Sequence, residues 1–161
     1  MVAVDVGRGQ LLERLRRDPR VVVHDRTNIR TADPVALGAP FDVVVADLSF
    51  ISLRTVVPAL AGSMAAAGAD LVLLVKPQFE AGREVVARGR GVVRDPAVWE
   101  AAVVGVGHAL GRSGAAIMGA MTSPLRGADG NVEFLLWARA HTPGGLTAEA
   151  AAREAVEGVA P

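Results

Sequence analysis

With 161 residues, seventeen basic against seventeen acidic side chains, half of the positions apolar and no cysteine, the chain is sized for one domain with a core of its own. Balanced charge excludes a protein that coats polyanions over its whole surface, and the missing thiols exclude disulfides, Cys-ligated zinc and cysteine catalysis. No metal and no membrane is expected, because His24, His108 and His141 lack ligand spacing and no apolar run nears the roughly 20 residues that span a bilayer; nothing reads as a leader peptide, so the expected location is cytoplasmic.

Strand-length apolar runs alternate with helical patterns, which predicts an α/β protein with a mostly parallel sheet covered on both faces. A strand is expected over residues 1–6, a short helix over 10–17, and strands over 21–24 and 41–46. A helix is expected over 53–67, kinked or started late by Pro58, then a strand over 71–75. Residues 78–94 read as a long loop rich in Gly and Arg, long enough to be functional or mobile. Asp95 followed by Pro96 reads as an N-cap and first helical residue, opening a helix to about Leu110. Strands over 115–122 and 132–138, joined by the short turn-rich stretch 123–131, should form an antiparallel edge hairpin. The tail 141–161 carries a Pro-Gly-Gly linker and an Ala/Glu helix capped by Thr147.

Only one of the seventeen basic residues is a lysine, Lys76, at the end of the apolar run 71–75. Arg keeps its proton, whereas a Lys can be pushed toward neutrality by burial and neighbours. A lone Lys there points to chemistry that needs an amine, or else to a snorkelling side chain. In a parallel sheet the strand ends lie on one edge, which is the usual ligand crevice. Asp5, the segment from Asp47 to Ser49 and the segment from Lys76 to Gln78 all end such strands. Asp47, directly after an apolar strand, is costly unless paired or working, or it caps the next helix, a task Ser49 or Ser52 could equally perform. Glu133 interrupts an apolar strand and is either the polar face of an edge strand or a third member of this group. An acidic residue such as Asp5 contacts a ribose when a Gly-rich turn lies about 20 residues before it. Here that turn would precede Met1, so the chain is expected to be cut at its front.

These residues fall in strings that closely resemble the methyltransferase domain of TlyA-type proteins (the hemolysin A family), relatives of FtsJ-like ribose 2′-O-methyltransferases. The strings are Val-Asp-Val-Gly-Arg-Gly-Gln at 4–10, Arg-Thr-Asn-Ile-Arg at 26–30, Ala-Asp-Leu-Ser-Phe-Ile-Ser-Leu at 46–53 and Leu-Val-Lys-Pro-Gln-Phe-Glu-Ala-Gly at 74–82. Gly-Arg-Gly-Val-Val-Arg-Asp at 89–95, Ser-Pro-Leu at 123–125 and Gly-Asn-Val-Glu-Phe at 130–134 complete them. The resemblance covers residues 1–140, leaving 141–161 as a C-terminal linker and helix.

The resemblance implies a Rossmann-like class I S-adenosylmethionine-dependent methyltransferase sheet, lacking its first strand, and an enzyme acting on ribosomal RNA ribose 2′-hydroxyls. Of the Lys-Asp-Lys-Glu tetrad in that class, Asp47, Lys76 and Glu133 fall on the last three members. Lys76 would be the base or the group orienting the hydroxyl, with Asp47 and Glu133 positioning it. As a base, the amine would need a pKa well below the reference of about 10.4. Asp5 would bind the cofactor ribose, Asn28 would lie near its adenine, and Asp47 would border the cofactor. The first tetrad lysine, the Gly-rich cofactor loop and a small RNA-binding domain would all precede Met1, so these residues alone are expected to bind the cofactor weakly or not at all.

Arg83, Arg88, Arg90 and Arg94, interleaved with Gly89 and Gly91, suit phosphate contact with ribosomal RNA or a ribosomal subunit. Trp99 and Trp137 are expected in the core, and His24 and His108 in structural roles. Two other readings are a membrane-active cytolysin, which the Ala-rich mixed-charge terminal helix does not favour, and a catalytically inactive remnant that binds RNA.

Overall fold

The computed structural model describes residues 1–127 and 129–159, with the side chains of Arg83, Val85 and Arg88 outside the description. The chain divides into two units, Met1–Ala39 and Pro40–Pro161.

In the first unit, β1 (Val2–Val4) pairs in parallel with β2 (Val22–His24), from Val2 opposite Val22 to Val4 opposite His24. The expected strand 1–6 stops early because the chain turns at Gly7, whose N–H is taken by Asp5 Oδ1 at 2.6 Å. α1 (Glu13–Arg16) is shorter than the expected helix, and α2 (Pro34–Leu37) was not expected. Its signal was present: Asp33 accepts from Val35 N, Pro34 opens the helix, and Gly38 closes it at φ 80°.

In the second unit the strand order is β3-β4-β6-β5. β3 (Phe41–Ala46) runs parallel to β4 (Ala65–Val75), while β6 (Phe134–Arg139) is antiparallel both to β4 and to β5 (Ala116–Thr122). The sheet is mixed: β3, β4 and β5 run one way and β6 runs against them, which gives the expected antiparallel hairpin of β5 and β6 at one edge. Period-two alternation puts Leu71, Leu73, Val75, Phe134, Leu136 and Ala138 on one buried face. Against it lies α6 (Pro96–Arg112), capped by Asp95 as the sequence predicts, with Val103, Val106 and Leu110 fully buried. α7 (Ala148–Glu157), capped by Thr147, buries Ala148, Ala151, Ala152 and Ala155 against α6 and β5.

Three expectations fail for physical reasons. The helix over 53–67 is instead α3 (Leu53–Val57) followed by a π-helix (Pro58–Ser63), and β4 begins at Ala65. Pro58 has no N–H for the α ladder, so the chain widens there. The loop 78–94 contains α4 (Pro77–Glu80) and α5 (Arg83–Arg88). Trp137, expected in the core, lies 41% exposed on the sheet. Its Nε1–H donates to Asp70 at 2.8 Å beneath the Arg139 guanidinium, and these two neighbours hold the Asp70 carboxyl below the usual carboxylate range. Trp99 is in the core as expected, donating to the Val93 carbonyl and packing on Phe134.

Two glycines of α6 predict opposite outcomes for one substitution. A Cβ at Gly107 would stand 2.8 Å from the Ala148 Cβ, whereas at Gly111 it would meet nothing. Gly107→Ala should cost about 1 kcal/mol of stability and lower the urea midpoint, and Gly111→Ala should add a similar amount and raise it, checked by denaturant titration.

Candidate active site

Parallel pairing of β3 with β4 reaches Ala46 opposite Leu73, and antiparallel pairing of β4 with β6 ends at Val75 opposite Phe134. The residues just beyond are Asp47, Lys76 and Glu133, so three strand ends deliver the three chemical groups to one edge of the second unit. Lys76 and Glu133 are next-door neighbours by continuation of that antiparallel register.

Lys76 has a side chain 13% exposed, and its Nζ forms an ion pair with Asp47 Oδ1 at 2.6 Å and donates to Ser49 Oγ at 3.4 Å. The lone amine is therefore covered and paired, not dissolved in bulk water. Asp47 is 66% exposed, so its cost is smaller than burial beside an apolar strand would imply. It is also released from capping: Ser52 caps α3, accepting from Arg54 N.

Glu133 is buried, yet it makes no ion pair with Lys76. Its Oε1 accepts from Gln78 Nε2 at 3.1 Å instead. The site is thus two adjacent pairs, Lys76 with Asp47 and Gln78 with Glu133, in place of an amine between two carboxylates. Gln78 Oε1 is buried and has no hydrogen-bond partner among the described residues, which leaves one acceptor ready for a donor. Gly127 lies against Glu133; a Cβ there would come within 2.5 Å of Oε1.

Several functional candidates carried little signal in the sequence. Phe50 is 92% exposed at φ 62° and leans on Phe79, ring centroids 5.2 Å apart. The two rings line a cavity of about 450 Å³ with Ile51, Gln78, Val86 and Gly91. Only the residue type and position of Phe50, one step past Ser49, could have flagged it. Asn131 is buried, accepting from Val93 N and donating to the Gly91 carbonyl. It fastens the end of the Arg-rich segment to the strand that Glu133 precedes. Arg90 and Arg94 are exposed, while the side chains of Arg83 and Arg88 lie outside the described residues.

Asp5 and Asn28 belong to the first unit and lie on adjacent turns, linked by Thr27 N donating to the Asp5 carbonyl. Asp5 Oδ1 holds Gly7 N and Asn28 Oδ1 holds Arg30 N. Asp5 Oδ2 and Asn28 Nδ2 have no protein partner among the described residues, so an acceptor and a donor face outward. This donor set fits the hydroxyls of a ribose and the edge of a purine.

Residues 1–140 match the family model of FtsJ-like methyltransferases. Over 149 residues the chain is 52% identical to the 16S/23S rRNA (cytidine-2′-O)-methyltransferase TlyA of Mycobacterium tuberculosis, a match that covers 92% of this chain and 55% of that protein. The chain therefore spans about half the length of the curated relatives it matches. A Streptococcus thermophilus protein named as a hemolysin superposes with a TM-score of 0.88 at 37% identity, over 97% of this chain and 56% of that one. A SAM-dependent methyltransferase of Methanosarcina mazei matches at 16% identity with a TM-score of 0.55, over 86% of this chain and 81% of that one, a likeness of fold alone. The sheet is Rossmann-like, and on the match over residues 1–140 the chain belongs to the FtsJ-like methyltransferase family.

Proposed function

We propose that this chain carries the catalytic part of an S-adenosylmethionine-dependent ribosomal RNA ribose 2′-O-methyltransferase, with residues 1–140 as the methyltransferase domain and 141–161 as its C-terminal linker and helix. The observation that carries the reading is the single lysine, largely covered and 2.6 Å from Asp47, beside the pair formed by Gln78 and Glu133. A ribosomal substrate places the protein in the cytoplasm.

When bound, S-adenosylmethionine supplies a methyl group activated on a sulfonium. Asp5 and Asn28, both in the first unit, are the residues that would hold its ribose and adenine. The chain's own work is to meet the 2′-hydroxyl. Lys76 Nζ, held by Asp47 and Ser49, would orient the hydroxyl oxygen, and the Lys76–Asp47 pair would take up the proton that the hydroxyl gives up on accepting the methyl group. Orientation of this kind turns a poor nucleophile into a well-placed one. Glu133, buried and hydrogen-bonded to Gln78, contributes a fixed negative field beside the amine. Of the family's tetrad, the first lysine has no counterpart among these 161 residues, since Lys76 is alone.

Phe50 supports an RNA substrate. An apolar ring 92% exposed beside the reacting amine is costly in water and suited to stacking on an unstacked base. Arg83, Arg88, Arg90 and Arg94, on the segment that follows α4, would contact phosphates.

Lys76→Arg keeps a cation and should still reduce methyl transfer by at least ~10²-fold, measured as tritium passed from labelled S-adenosylmethionine to ribosomal RNA. Turnover retained within a few-fold would reject Lys76 as the central group. Phe50→Ala should weaken RNA binding by about 1–3 kcal/mol, the size of one base stack, and leave cofactor affinity unchanged. Arg90→Ala and Arg94→Ala should each make the dependence of RNA affinity on salt shallower by about one counterion, read from the slope of log K against log salt.

A further inference from the structure

Glu80 is the buried ionisable group that the chemistry above does not use. Its side chain is 2% exposed, and a carboxylate so covered is expensive unless its lone pairs are filled. They are. Oε1 accepts the Leu53 N–H at 2.6 Å, and Oε2 accepts the Ser52 hydroxyl at 2.5 Å and Arg54 Nε at 3.1 Å. The backbone carbonyl of Glu80 accepts from the same Arg54 guanidinium at 2.8 Å. The Arg54 stem lies along α6, where a Cβ at Gly105 would come within 3.1 Å of its Cδ.

All four bonds join the segment that begins with Lys76 to the segment that begins with Asp47. α4 is a single turn, so Glu80 is rigidly related to Lys76. Residues 47–52 form an irregular connection whose remaining side-chain ties to the Lys76 segment are two polar ones, Lys76 with Asp47 and Lys76 with Ser49, and the Phe50 ring on Phe79. A network of charge-assisted bonds in a covered place is stiff and directional. We infer that Glu80 is a positioning residue: acting through Ser52, Leu53 and Arg54, it sets where Asp47 and Ser49 stand around the Lys76 amine. The inference deepens the methyltransferase reading and rests on it for its catalytic consequence, but the placement of the amine can be read without turnover.

One lysine means one side-chain amine signal after labelling with 15Nζ-lysine. Asp47→Asn should move that resonance, and Glu80→Gln should move it in the same direction by a comparable amount while far-ultraviolet circular dichroism stays that of the parent. A Glu80→Gln resonance at the parent position would overturn the inference. Should Glu80→Gln fail to fold, Ser52→Ala removes a single donor and should give a smaller displacement of the same sign; no displacement would overturn it equally. In turnover, Glu80→Gln should lower kcat on the order of 10–100-fold with KM for RNA unchanged. In the Asp47→Asn background the same substitution should cost little more, because its effect passes through Asp47. Equal losses in both backgrounds would overturn the inference. A parent chain without methyl transfer would count against the enzymatic reading alone, and the resonance would still decide on Glu80.

Discussion

Strand β4 is the constraint on which the second unit depends. Leu71, Leu73 and Val75 are wholly buried under α6, and the same strand is paired on both sides. A one-residue slip would turn that apolar set outward, so the register is strongly fixed. With it is fixed the delivery of Lys76, one residue past Val75, between an arriving Asp47 and a departing Glu133. The apolar side of the strand locates the polar end; no separate device is needed to bring the three groups to one edge.

What stands at that edge is a division of labour between charges. Lys76 and Asp47 neutralise one another at the rim, where Asp47 remains wetted and the cost of pairing is small. Glu133 and Gln78 stand further in, an acid beside a neutral amide. The two acids are thereby kept in different surroundings. Glu80 is a third acid in a third environment, saturated with donors and withdrawn from solvent. Three carboxylates near one amine would be an electrostatic puzzle if all were alike. Their different hydrogen-bond partners resolve it.

Much of this was legible from the chain where local rules and tertiary demands agree. The strand at Phe41–Ala46, the cap at Asp95 with Pro96 and the cap at Thr147 follow from side-chain chemistry alone, and the edge hairpin follows from a connection too short to cross over. The first half of β4 was illegible because Ala65 to Asp70 carry no apolar pattern. They become a strand by pairing with β3, across a register jump from Phe41 opposite Ala65 to Val43 opposite Asp70. Trp137 misled because its size argues for burial, while its indole N–H and the Arg139 cation find partners at the surface. In the site, Asp47, Lys76 and Glu133 could be named, since strand ends announce themselves. The partner of Glu133 and the role of Glu80 could not, because hydrogen bonds across 26 to 55 residues of sequence leave no local trace.

The left-handed turn at Phe50 ties the oily and polar halves of the site into a single mechanical body. A non-glycine residue at φ 62° holds about 1–3 kcal/mol of backbone strain, which a rotation of the peptide out of the left-handed region would relieve. The peptide that would rotate also carries Ser49, whose hydroxyl rests under the amine. Relaxing this turn would therefore shift the ring and the hydroxyl together.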